Sequence, residues 1–169
     1  MLIEKTRDGE PASAGQPAPD PGLARRILIV EDNYFVAHQC ESALLDAGYE
    51  IVGTVVTADD AVRAAMDRRP ELVLMDIYLP GKWDGVDAAL EILQRFGIRS
   101  IFASAPADPT VKARAESAQP LAWLAKPFND RKLVATVKSA LSDMDAQPQA
   151  AILIGEYGRT YLAGISRAS

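Results

Sequence analysis

The chain has 169 residues, of which 49% are hydrophobic and 24% are charged, a composition typical of one globular domain. Its single cysteine excludes a disulfide framework or a cysteine-based zinc site, and its single histidine leaves no partner for a histidine-ligated metal. The net charge of −5 argues weakly against a nucleic-acid-binding surface, and the sequence contains neither an apolar run of ~18 residues nor a secretory leader. We therefore expect a cytoplasmic protein without nucleic-acid or membrane partners, whose chemistry depends on Asp, Glu, Ser, Thr and Lys.

Residues 1–24 contain prolines among Gly, Ala and Ser, without a hydrophobic period. Such a segment buries too little apolar surface to offset the entropy of ordering it, so we predict a flexible N-terminal tail. Residues 144–169 begin polar and then turn apolar, and they are too few for a domain. We predict a C-terminal tail there, either a docking segment that adds a strand to a sheet edge or a disordered extension.

Between these tails, residues 25–143 alternate short apolar runs, typical of buried strands, with segments of helical apolar spacing. The predicted strands cover residues 26–30, 50–56, 71–76, 100–104 and 121–125. The predicted helices run from Asn33 to Gly48, over 58–68 after Thr57, over 84–96 before Gly97, over 108–118, and onward from Asn129. Five alternating strand–helix units predict an α/β fold, a doubly wound sandwich with a five-stranded parallel sheet.

Polar side chains stand where the predicted strands end. Glu31 and Asp32 follow the first strand, Asp76 ends the third, Ser104 ends the fourth, and Lys126 follows the fifth. In such sheets ligands bind outside the carboxyl ends of the strands, so we expect these five side chains to share one crevice. A residue of this kind at one strand end is more often a solvated loop residue or a helix cap. Five such residues at the strand ends of one alternating strand–helix pattern are not expected to occur together by chance.

The chemistry of this set favours phosphoryl transfer. Three close carboxylates repel one another and favour a bound cation, and hard oxygen ligands suit Mg²⁺. A Lys ammonium and a Ser hydroxyl can both stabilise an anion, and a carboxylate can accept a phosphoryl group.

The sequence at these positions resembles the response-regulator receiver domain of two-component signalling. The resemblance rests on ILIVED, LVLMDIYLPG followed by DG, IFASA, and WLAKPF, in that order, over residues 25–143. It implies a flavodoxin-like (βα)5 fold with strand order 2-1-3-4-5. It also implies a single-domain regulator that catalyses only its own phosphorylation and its own dephosphorylation and is not otherwise an enzyme.

The resemblance assigns roles residue by residue. Asp76 corresponds to the phosphoacceptor, and Mg²⁺ would be held by Glu31, Asp32, Asp76 and the backbone carbonyl of Tyr78. Ser104 and Lys126 correspond to the hydroxyl and the ammonium that contact the phosphoryl group, and Ser104 and Trp123 to the switch pair. The implied partners are a sensor histidine kinase or phosphotransfer protein and a downstream target protein. Because His38 is the only histidine of the chain, the phosphohistidine must come from a partner.

Two other functions use similar parts. An aspartyl-phosphate-type phosphatase also employs Asp, Mg²⁺ and Lys, but it needs a second Asp two residues after the nucleophile, where this chain has Tyr78. A nucleotide-binding module would need a Gly-rich loop after the first strand, where the sequence reads EDNYF.

Trp83, in a loop one residue longer than the commonest form of the family, either packs on the third helix, which we favour, or contacts a partner.

Overall fold

The chain folds around one parallel sheet of strand order β2-β1-β3-β4-β5. In the computed structural model the described residues, 24–105 and 109–146, form five strands: β1 Arg26–Val30, β2 Glu50–Val55, β3 Leu72–Met75, β4 Arg99–Ser104 and β5 Ala122–Ala125. They also form five α-helices: α1 Tyr34–Asp46, α2 Ala58–Arg68, α3 Gly85–Phe96, α4 Pro109–Ala115 and α5 Asp130–Ala146. The predicted doubly wound fold and strand order are confirmed.

Side-chain caps set the starts of the helices. Asn33 accepts hydrogen bonds from two backbone N–H groups of α1, at 3.0 and 3.3 Å, and Thr57 accepts one at 3.2 Å in α2. Asn129 caps α5 in the same way at 2.9 Å. These side chains satisfy N–H groups that have no partner inside the helix, as the sequence predicted.

Two apolar layers cover the sheet. The side chains that lie between the sheet and α2, α3 and α4 include Leu28, Val30, Val73, Met75, Phe102, Ile92 and Ala115. The layer beneath α1 and α5 includes Ile27, Ile29, Leu74, Ile101, Cys40, Leu44, Leu133 and Val137. Because β3 is buried along its whole length, every side chain of this strand contributes to one layer or the other.

The largest difference from the predicted elements lies around α4. The expected helix over 108–118 is a shorter helix that ends at Ala115 and tightens into a 3₁₀ turn, Glu116–Ala118. Gln119 then adopts a left-handed conformation, with φ of 48°, and Pro120 follows. These two residues end the helical path because Pro cannot continue a helix and a positive φ reverses its direction.

The described residues also extend past one predicted boundary. Helix α5 continues to Ala146, three residues into the segment 144–169 that was predicted as a tail. In the last turn of α5 Asp145 pairs with the Arg25 guanidinium at 2.5 Å. The rest of the predicted tails lies outside the described residues. Each helix within residues 24–105 and 109–146 is too short or too polar to cross a lipid bilayer.

Candidate functional site

The ends of β1 and β3 bring three carboxylates together. The two strands pair directly, with Val30 opposite Met75, and the Asp76 N–H donates to the Val30 carbonyl at 2.9 Å. One carboxylate oxygen from each of Glu31, Asp32 and Asp76 lies within 4.8 Å of the others. Glu31 and Asp76 are buried, whereas Asp32 faces solvent at the mouth of the crevice.

Lys126 completes the cluster from the end of β5. Its Nζ lies 2.5 Å from Glu31 Oε2 and 2.6 Å from Asp76 Oδ2. The Lys126 side chain is 20% exposed, and its two partners are 4% and 7% exposed. One largely buried cation therefore bridges two buried anions, and the third carboxylate remains open to a further cation.

The cluster shifts the proton affinities of two of its members. Burial raises the pKa of Glu31, and the hydrogen bond from Lys126 only partly opposes this. Burial lowers the pKa of Lys126, but the hydrogen bonds to Asp76 and Glu31 outweigh it, so the net direction is upward. Lys126 is therefore positively charged at neutral pH.

Backbone donors orient the two buried carboxylates. Asp76 Oδ1 accepts the Tyr78 N–H at 3.1 Å, and Glu31 Oε1 accepts the Asn33 N–H at 3.2 Å. The Tyr78 side chain is 51% exposed and lies at the edge of the crevice. A set of oxygen ligands with one side open to water fits a hard divalent cation such as Mg²⁺, which keeps part of its hydration shell in proteins.

Ser104 lies at the same end of the sheet, but its hydroxyl is not engaged. Its side chain is buried, and Oγ has no hydrogen-bond partner among the described residues. Its carbonyl accepts the Lys126 N–H at 2.9 Å, which ties the end of β4 to the residue that holds Asp76. The sequence therefore located Ser104 correctly but did not indicate that its hydroxyl is unpaired.

Trp123 lies on β5 directly opposite Phe102. The centroids of the two rings are 5.1 Å apart, and the Lys112 ammonium of α4 lies 5.9 Å from the indole centroid. The indole thus packs beneath α4, on the sheet face that carries Ser104. The Trp123 side chain therefore contacts both the sheet and this short helix.

The sequence analysis did not assign a role to Asp84 and Gly85, which place the start of α3 against the backbone of Asp76. A Cβ at position 85 would lie 1.8 Å from the Asp76 carbonyl oxygen, so only glycine allows α3 to start this close to the site. Asp84 caps α3 and also pairs with Arg114 of α4. The Asp84–Gly85 dipeptide was visible in the sequence, but its pairing with Arg114 was not, because it depends on how α4 packs against α3.

A family model of the response regulator receiver domain matches residues 27–138. The chain belongs to this family. Among curated proteins it is 34% identical over 123 residues to the transcriptional regulatory protein PdtaR of Mycobacterium tuberculosis, covering 73% of this chain and 60% of that protein. It is 31% identical over 140 residues to the phyllosphere-induced regulator PhyR of Methylorubrum extorquens, covering 82% of this chain and 51% of that protein. The chain thus spans half to three fifths of these relatives.

Solved structures agree with this assignment. The signal receiver domain of a modulated diguanylate cyclase from Desulfovibrio desulfuricans G20 is 31% identical, with a TM-score of 0.69 over 73% of this chain and 98% of that one. A CheY-like receiver domain from Methanospirillum hungatei JF-1 is 25% identical, with a TM-score of 0.68 over 74% of this chain and 99% of that one. Receiver domains are in general regulators and not enzymes, so the family assignment supports a signalling role.

Proposed function

We propose that this receiver accepts a phosphoryl group on Asp76 and thereby switches a protein–protein interaction surface. One observation carries the proposal: the buried Asp76 carboxylate is fixed between the Lys126 ammonium and two further carboxylates at the carboxyl end of the sheet. The donor is a phosphohistidine on a sensor histidine kinase or phosphotransfer protein. A bond forms between an Asp76 oxygen and phosphorus, and the phosphorus–nitrogen bond to the donor histidine breaks.

The residues around Asp76 have distinct tasks in this transfer. Lys126 supplies a positive charge at Asp76 Oδ2, which offsets the negative charge that the phosphoryl group adds. The Tyr78 N–H holds the other oxygen of the carboxylate and fixes its orientation. Glu31 shares the Lys126 ammonium with Asp76, so the ammonium is positioned before the donor arrives.

Mg²⁺ would be held by Glu31, Asp32, Asp76 and the backbone carbonyl of Tyr78. When bound, the ion supplies positive charge that neutralises the oxygens of the transferring group. Asp32 is the exposed carboxylate of this set, and we assign it to direct contact with the ion.

The switch follows from the unpaired Ser104 hydroxyl. A buried hydroxyl without a partner is unfavourable, and a phosphoryl oxygen on Asp76 would give it an acceptor. Movement of Ser104 toward that oxygen would vacate space on this face of the sheet, into which the Trp123 side chain would move. Phosphorylation thus stabilises one arrangement of the α4–β5–α5 face over another, and a downstream target protein binds this face preferentially in one state.

We assign the receiver to residues 25–143 and expect it to act in the cytoplasm, without nucleic-acid or membrane partners of its own. We propose that a surface of this domain carries its output. An aspartyl-phosphate-type phosphatase remains as an outcome of the test below, although Tyr78 occupies the position where that chemistry needs an acid.

The test is phosphorylation by a small-molecule donor. Wild-type protein incubated with acetyl phosphate and Mg²⁺ is expected to gain the mass of one phosphoryl group, and hydroxylamine should remove it. Asp76→Asn should gain none, whereas Asp67→Asn, an exposed carboxylate on α2, should behave as wild type. Equal labelling of Asp76→Asn would contradict the proposal. Sustained turnover of p-nitrophenyl phosphate would instead identify a phosphatase.

A further inference from the structure

The loop between β3 and α3 forms a groove that phosphoryl transfer does not use. Its residue Trp83 lies beside the outer face of α3, and the groove between them has a volume of about 320 Å³. The remaining lining residues recur at helical spacing on that face: Asp87, Leu90, Glu91 and Gln94. Trp83 lines the groove together with residues of α3 and is 38% exposed, so part of its apolar surface faces solvent. The position of Trp83 beside α3 agrees with the packing that we favoured from the sequence, and its contact with a partner stays a prediction.

The groove is apolar in its wall and acidic at its rim. Trp83 and Leu90 supply the apolar surface, and Asp87 and Glu91 supply two carboxylates, with no basic side chain in the lining. Asp87 is held in place because its Oδ2 accepts the Asp84 N–H at 3.2 Å.

Two arginines reach the rim from outside the groove. Arg95 lies 3.3 Å from Glu91 Oε1, and Arg114 lies 3.9 Å from Asp87 Oδ1. Both guanidinium side chains are nearly half exposed, and exposed pairs of this kind contribute little stability. A cation from a partner can therefore replace them at small cost, or bind the second oxygen of Glu91, which accepts no hydrogen bond within the described residues.

We propose that this groove is a docking site for a protein segment that carries an Arg or Lys side chain next to an apolar residue. The cation would stack on the Trp83 indole and pair with Glu91, because an indole face beside a carboxylate attracts a guanidinium or ammonium through both contacts. The neighbouring apolar residue would cover Leu90. The groove is open along one side, which suits a protein side chain better than a small molecule that must be enclosed.

This surface is formed by Trp83 of the β3–α3 loop and by α3, and Arg114 of α4 reaches only its rim. The proposal does not depend on phosphorylation of Asp76, so its test uses the unphosphorylated full chain. A failure here would leave the proposed phosphoacceptor function unaffected.

The experiment selects a displayed library of random peptides on the immobilised full chain. The selection includes a step that removes peptides which bind Trp83→Ala. Synthetic versions of the recovered peptides are then titrated against wild type and variants by isothermal calorimetry. We expect the recovered sequences to carry Arg or Lys beside an apolar residue. Trp83→Ala should weaken binding by about tenfold, and Glu91→Gln by about threefold. Changing the basic residue of the peptide to Gln should also weaken binding by about tenfold.

Two controls separate docking from misfolding. Tyr34→Ala removes another exposed aromatic side chain, 73% exposed on α1, and should leave the affinity unchanged. Trp83→Phe keeps a ring on α3 and should retain part of the affinity. The proposal is overturned if no peptide is recovered, if the recovered peptides lack a basic residue, or if they bind Trp83→Ala as tightly as wild type.

Discussion

Ser100 is a polar side chain buried on β4. It is 1% exposed, and its Oγ has no hydrogen-bond partner among the described residues. A buried hydroxyl without a partner loses its hydrogen bonds to water and regains none on folding. We expect Ser100→Ala to raise the free energy of unfolding by about 1 kcal/mol, measured by urea denaturation.

A second substitution at the same position tests the reason for this gain. Ser100→Cys has nearly the same shape and replaces the hydroxyl by a weak hydrogen-bonding thiol, so it should also stabilise the protein. Ser100→Thr keeps the hydroxyl and should give no gain. If Ser100→Ala and Ser100→Cys both destabilise the protein, the hydroxyl has a partner, such as a buried water, and the argument is wrong.

At the scale of the elements, α4 depends on its contacts with α3. It has seven residues, of which only Ala115 is buried, and so short a helix is marginal by itself. Arg114 fastens it to α3 through Asp84, the N-cap, and through Asp87 at 3.9 Å. Because the Arg114 side chain is half exposed, these ion pairs contribute modestly to global stability. Their main effect is on the local position of α4.

We therefore predict that Arg114→Ala loosens α4 and leaves the rest of the fold intact. Backbone amides of α4 and the following 3₁₀ turn should exchange hydrogen about two- to fivefold faster, as measured by mass spectrometry. Amides of β1 and β3 should be unchanged. Arg131→Ala, an exposed arginine on α5, is the matched control and should change neither set. Unchanged exchange in α4 of Arg114→Ala would show that this helix is held by other contacts.

The elements also show which parts of the fold can be predicted from sequence. Helix α2 was predicted over 58–68 and observed as Ala58–Arg68, because Thr57 and Pro70 are local start and stop residues. Helix α4 was predicted as one helix over 108–118, but the chain tightens after Ala115 into the 3₁₀ turn Glu116–Ala118, which the helical spacing did not distinguish from an α-helix. The pairing of Asp145 in the last turn of α5 with Arg25 was not predicted, because the two residues lie at opposite ends of the domain sequence.

The same distinction applies to the candidate site. The grouping of Glu31, Asp32, Asp76 and Lys126 followed from strand ends, which a regular parallel sheet brings to one edge. The partners of Lys126 did not follow, since the sequence cannot tell which two of three carboxylates an ammonium will bridge. The unpaired hydroxyl of Ser104 was also invisible, because it depends on distances of a few ångströms across two strands.

At the scale of the whole molecule, the carboxyl edge of the sheet carries more negative than positive charge. Strands β1 and β3 end in three carboxylates, and β5 ends in the single ammonium of Lys126. Glu31 is the carboxylate whose pKa burial raises, although Lys126 partly opposes the shift. Removing Lys126 would take away this opposing contribution, so the pKa of Glu31 would rise further. The folded state already binds this proton more tightly than the unfolded state, and the variant would increase the difference.

This imbalance predicts how Lys126→Met responds to pH. Near neutral pH and without Mg²⁺, the variant should lose about 3 kcal/mol of unfolding free energy, because two buried carboxylates lose their cation. A carboxylate whose pKa is raised in the folded state destabilises the fold as pH rises from its ordinary pKa to the raised one, so the deficit should shrink as pH is lowered from neutral. Mg²⁺ should also reduce the deficit near neutral pH. Urea denaturation measures all three effects, with Lys132→Met, an exposed lysine on α5, as control. A deficit that is independent of both pH and Mg²⁺ would mean that Lys126 stabilises the fold by packing and not by its charge.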